Sequence, residues 1–243
     1  MAAEGGLDPI HQFVIAPVFH IGPLPVTNSA VFMIAILAVA SFIMIIGTSS
    51  RALVPGRLQS LGEVAYEFVA STVRGSAGQD GMRFFPMVFS LFMFVLLSNL
   101  IGIIPYTFTV TSHIIVTFVM AFFIFIGVTL IGLARHKLHF FSLFLPPGLP
   151  IYLAPLLIPI EIIGYLTRPI SLSVRLAANM MAGHTMVEVF AGFIVALGIF
   201  GFAPFLFVTA VYGLEVVVAF LQAYVFAVLT CLYLSDAINL HKH

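Results

Sequence analysis

The chain has 243 residues, of which 62% are hydrophobic and only 7% charged, against roughly 25% charged residues in ordinary soluble domains. With a mean hydropathy of +1.20, this composition excludes a soluble globular protein and leaves an integral membrane protein. Nine Lys plus Arg balance nine Asp plus Glu, so no basic surface points to nucleic acid and partners are expected in the lipid bilayer.

Taken from the N-terminus, Met1–Thr27 carries no Lys or Arg and so lacks the charged start of a signal peptide. Three apolar runs follow, Ser29–Ile46, Phe84–Ile104 and Ile114–Leu133, each near the ~20 residues that cross a hydrocarbon core. Between the first two, Leu58, Leu61, Ala65, Phe68 and Thr72 recur at helical spacing, with Gln59, Glu63, Glu67 and Arg74 elsewhere. That pattern predicts an amphipathic helix over about 58–74 on the membrane interface, with a soluble loop helix as the competing reading. Arg51, Arg57, Arg74, Arg83, Arg135 and Lys137 fall on one side, whereas the tail and the Pro105–His113 loop have no Lys or Arg. The positive-inside rule then puts residues 1–28 outside as a tail and, after five crossings, His241-Lys242-His243 inside.

The last hundred residues are longer than ordinary spans. Tyr152–Leu197 would measure about 69 Å as one helix, and Phe205–Leu234 about 45 Å, with Gly198, Gly201 and Pro204 marking a turn between them. One reading is a hairpin of two long, tilted helices over about 152–234. The other is a set of ordinary spans with Arg168–Glu188 as an external loop. Leu172, Arg175, Leu176, Ala177 and Ala178 are good helix formers and favour the hairpin. The fold class is therefore an all-α integral membrane protein: five crossing helices and one interfacial helix, with 29–243 a single transmembrane domain.

Arg175 stands out, because Arg at the bilayer centre costs about 2.5–3.5 kcal/mol even on insertion scales, and a membrane protein that keeps one usually employs it. On a helix, Glu161, Arg168 and Arg175 recur every seven residues and share a stripe, with Asn179 one turn beyond Arg175. His184 lies nine residues past Arg175, on the opposite side, with Glu188 a turn below it; Glu215 and Gln222 share a stripe on the following helix. These groups divide into two jobs. Arg175 cannot deprotonate and acts only as a fixed field, whereas His184, Glu161, Glu188 and Glu215 can take up and release protons.

Structural readings compete with the functional ones. Arg168 could snorkel to headgroups, Glu188 could cap the helix or pair with His184, and Arg175 could form an ion pair with Glu161. Asn179, Gln222 and Asn99 could serve as interhelical hydrogen-bond glue. His136 with His139, or His241 with His243, lacks the further Cys or carboxylate of a metal site. Cys231 lies in an apolar run and reads as a core thiol. Lys137 and Lys242 sit in no Gly-rich phosphate loop, so neither nucleotide chemistry nor a cofactor is expected.

The segment Ser171-Leu-Ser-Val-Arg175-Leu-Ala-Ala-Asn179-Met180 resembles the signature around the essential arginine of subunit a of F-type rotary ATP synthases. Asn99–Pro105 is similar to that family's first hairpin end and Leu221-Gln-Ala-Tyr224 to its last-helix motif, so that only the N-terminal tail is weakly covered. The resemblance implies a proton-translocating stator in a bacterial inner membrane, with an organellar membrane as the alternative. It also implies that Arg175 faces the carboxylates of a rotating c-ring, with Asn179 and Gln222 beside it. Peripheral-stalk b-type subunits and other ATP synthase subunits are the further partners it implies. Many bacterial relatives have an acid at the position of His184 and a histidine at that of Glu215. Here the two are exchanged, as in mitochondrial members, which keeps one acid and one base and implies that their helices adjoin. The alternative from another class is a secondary transporter or channel that binds an anion at Arg175.

Overall fold

The computed structural model describes residues 14–21, 24–49, 56–104, 107–137, 139–140, 152 and 154–239. Arg51, Pro105 and the His241-Lys242-His243 terminus lie outside the described residues. A two-stranded antiparallel hairpin, β1 (Pro17–Ile21) and β2 (Leu24–Thr27), precedes α1 (Asn28–Ser49). The sequence reading assigned no element to this part of the tail. Asn28 ties the hairpin to the helix. Its Oδ1 accepts from the backbone N–H of Ala16 (3.3 Å) and Ser29 (2.9 Å), and its Nδ2 donates to the Val14 carbonyl at 3.1 Å.

Next come α2 (Arg57–Gly81), α3 (Phe85–Gly102), α4 (Ile114–His136), α5 (Ala154–Leu197) and α6 (Phe202–Ile238). Five helical stretches are long and apolar enough to cross a membrane: Asn28–Gly47, Gln59–Gly102, Ile114–His136, Pro155–Leu197 and Phe202–Ile238. The second joins α2 to α3, and its uncharged part is α3, which Pro86 opens in the first turn, where a missing N–H costs nothing.

Residues 168–188 are helical, not an external loop. The 44 residues of α5 run through Pro159 and Pro169 and extend about 66 Å, so α5 cannot stand upright in a core ~30 Å thick. The hairpin turn is the 3-10 segment Gly198–Gly201, where Gly198 adopts φ 55° and a Cβ on Gly201 would lie 2.7 Å from the Ile194 carbonyl oxygen. Both positions therefore need glycine.

The centre of the bundle is α6, which packs against α2, α3, α4 and α5. Its core joins Val69 and Val73 of α2, Phe92 of α3, Leu176 of α5, and Phe226 and Cys231 of α6. Cys231 is thus the buried core thiol expected. The packed face of α2 overlaps only part of the stripe read in the sequence: Ala65 and Phe68 pack against the core, but the fully buried residues are Val69, Val73 and Ala77, and Leu61 is about two-thirds exposed. Phe68 itself lies with its ring centroid 5.4–5.6 Å from those of Phe92, Phe220 and Tyr224. Polar contacts between helices fix the register. Asn99 Nδ2 donates to the Ala219 carbonyl (3.3 Å), and the Thr117 hydroxyl donates to that of Ser173 (3.2 Å).

Candidate functional site

Near one end of the hairpin α5 and α6 bring His184 and Glu215 together, with Nδ1 3.8 Å from Oε1 and both side chains about nine-tenths buried. Gly183 permits the approach, since a Cβ there would overlap Glu215 Oε1 and lie 3.1 Å from its Cδ. The imidazole is held on both edges. Nδ1 faces the Met180 carbonyl at 3.0 Å, and Nε2 faces the Gly102 carbonyl at 2.6 Å and Thr109 Oγ1 at 3.1 Å. Carbonyl oxygens only accept, so the ring satisfies both carbonyls at once when both nitrogens carry hydrogen, with Glu215 as the adjacent counter-charge. With one proton it satisfies only one of them.

A cavity of about 500 Å³ leads to this pair from the end of the bundle that carries the β-hairpin and the α3–α4 loop. Its lining includes Asn28, Thr107, Glu188, Tyr212, His184 and Glu215. Glu188 is partly buried. Gly102, Thr109 and Tyr212 were not anticipated from the sequence. Gly102 and Thr109 contribute through a carbonyl and a loop hydroxyl, and only the chain path brings them to His184.

Arg175 lies elsewhere. Both Arg175 and Asn179 are exposed on the outer face of α5, while the neighbouring Leu176, Ala177 and Met180 are buried. Arg175 is about 13.5 Å along the helix from His184 and faces another way. Among the described residues it makes no ion pair or hydrogen bond. The pairing with Glu161 weighed above does not form, because fourteen residues separate the two by about 21 Å of helix rise. Gln222 is partly buried on α6. Arg168 makes its contacts within the bundle. Its Nη1 donates to Asp236 Oδ2 at 3.3 Å, and it lies against the rings of Tyr165 and Tyr233. Asp236 lies just past the apolar run that ends at Leu234, although it continues the seven-residue spacing of Glu215 and Gln222.

Residues 29–235 match the family model described as ATP synthase A chain. This chain belongs to that family. Similar curated proteins include the ATP synthase subunit a of Mesorhizobium japonicum, 54% identical over 98% of this chain and 99% of the relative. The proteins of that name from Bradyrhizobium diazoefficiens (52%) and Pelagibacter ubique (51%) each match over 96% of this chain and 98% of their own length. The chain is accordingly a subunit of a proton-translocating ATP synthase, a multi-pass inner-membrane protein working alongside the other subunits of that enzyme.

Proposed function

We propose that this subunit is the stator half of the proton path, with two offset half-channels and Arg175 as the electrostatic gate between them. The observation that carries this reading is the split site: a cavity reaching a buried acid–base pair on one side of α5, and on its exposed face an arginine that has no ion-pair partner among the described residues. A proton entering the cavity passes through Glu188, His184 and Glu215 toward the level of Asn179 and Gln222, and there neutralises a carboxylate of the rotating c-ring. After the ring has turned, the carboxylate meets Arg175, which stabilises its charged form and drives release into the second half-channel, near Glu161. The fixed charge of Arg175 also opposes a proton crossing without the ring. Each proton moved through 100 mV supplies about 2.3 kcal/mol.

In this reading residues 1–28 form an outward-facing tail, α2 lies on the inner interface, and the C-terminus is inside. Arg57, Arg74, Arg83, Arg135 and Lys137 then share the inner side. The cavity at His184 is consequently the outward half-channel, because the α3–α4 loop and Asn28 line it. Peripheral-stalk b-type subunits hold the chain still while the ring turns. The anion-transporter alternative calls for an enclosed anion site at Arg175. The open face on which Arg175 lies suits a large partner surface instead.

The test is Arg175→Ala in inverted membrane vesicles holding the assembled enzyme. ATP-driven proton pumping should be abolished; pumping at near wild-type rate refutes the gate.

A further inference from the structure

Seven residues before Arg175, side chains from α5 and α6 converge on Arg168. Its Nη1 donates to Asp236 Oδ2 of α6 at 3.3 Å. Its guanidinium carbon lies 5.3 Å from the ring centroid of Tyr165 on α5 and 4.9 Å from that of Tyr233 on α6. Tyr165 in turn is tied to α4, with its hydroxyl 2.8 Å from Thr129 Oγ1 and its ring 4.8 Å from that of Phe125. The Arg168 side chain is only about a quarter exposed. A planar guanidinium can lie against two rings and still present its N–H edge to a carboxylate, which an ammonium cannot do.

The next residue explains why a clamp is needed here. Pro169 lies within α5, where it has no N–H to offer the Tyr165 carbonyl and crowds that turn. This is a weak point of the helix, and everything beyond it, Arg175 included, depends on the direction in which α5 continues. The clamp holds the near side of the break, with Tyr165 fastened to α4 and Arg168 to α6, while on the far side the Thr117 hydroxyl of α4 donates to the Ser173 carbonyl.

We infer that Arg168 is a positioning residue, which with Asp236, Tyr165 and Tyr233 pins α5 to α6 at Pro169 and thereby fixes the height and facing of Arg175. This rests on the gate role proposed for Arg175. An arginine displaced by about 1 Å loses alignment worth up to about 100-fold in rate, and it also ceases to block uncoupled passage.

The experiment compares Arg168→Met, Arg168→Lys and the charge exchange Arg168→Asp/Asp236→Arg with wild type and Arg175→Ala. Vesicles holding the assembled enzyme are used, and rates are expressed per assembled complex. Arg168→Met should lower ATP-driven pumping between about 10- and 100-fold and raise passive proton conductance. Arg168→Lys should fall between, keeping charge without the ring contacts, and the exchange should recover part of the pumping and reduce the leak. If Arg168→Met only lowers the amount of complex, with pumping and leak per complex unchanged, the residue is merely structural and the inference is overturned. A poorly assembling Arg168→Met leaves the decision to the lysine and exchange variants, where wild-type behaviour of the former or no recovery in the latter also overturns it. Normal pumping in Arg175→Ala defeats the gate instead, and with it anything for the clamp to position.

Discussion

Substituting alanine for Gly183 separates helix stability from proton transfer, because the two respond in opposite directions. Alanine is favoured over glycine in a helix interior by about 0.8–1 kcal/mol, so α5 itself should gain. The new Cβ, however, would overlap Glu215 Oε1 and approach its Cδ to 3.1 Å and Cγ to 3.2 Å. The carboxylate must retreat by roughly 1 Å, from a starting separation of 3.8 Å to His184 Nδ1. It is the end of a flexible side chain, so the fold should absorb the shift. Misplacing a transfer partner by about 1 Å costs up to about 100-fold in rate. Gly183→Ala should therefore assemble normally and pump between about 10- and 100-fold more slowly, measured as ATP-driven acidification of inverted vesicles per complex. Adding Glu215→Asp shortens the side chain by one methylene and should recover part of the rate. Wild-type pumping by Gly183→Ala would refute the requirement for close contact between the pair.

Two further outcomes follow from the same geometry. His184→Ala and Glu215→Gln should be strongly non-additive in pumping rate, the double variant being little slower than the worse single one; independent effects that simply multiply would mean that the two residues do not share a relay. His113 lies just before α4, with its ring 5.0 Å from that of Phe108, and burial holds its imidazole below the ordinary value of 6.5. The folded form then binds fewer protons than the unfolded form, so this contribution to stability is full above pH 6.5 and is lost as the pH falls below it. His113→Phe keeps the ring contact and removes the titration, so the thermal midpoint of the purified complex should fall less steeply in acid than that of wild type. Equal acid slopes would contradict this origin.

Much of the architecture was legible because hydropathy and length are local properties. A stretch such as Ile114–His136 needs no neighbour to be read as a span. The long hairpin was legible for the same reason, since the residues around Arg175 are helix formers and Gly198 and Gly201 mark the turn. On α2 the stripe through Ala65 and Phe68 does border the core, but Leu61 is exposed and Val69 and Val73 are buried, a choice among equally apolar residues that packing against α6 makes. Arg168 was ambiguous in isolation, since the acid that binds it lies 68 positions away.

The sequence by itself determined the class of protein, the α-helical spans, and the presence of a permanent cation on the opposite helical side from titratable groups. Tertiary structure alone decided which groups meet. It set His184 against Glu215, enclosed their ring and carboxylate with Gly102 and Thr109 from a distant loop, and left Arg175 on an open face. The reason is physical: helical periodicity fixes the angles between side chains on one helix, whereas distances between helices depend on packing, and proton transfer and ion pairing depend on those distances.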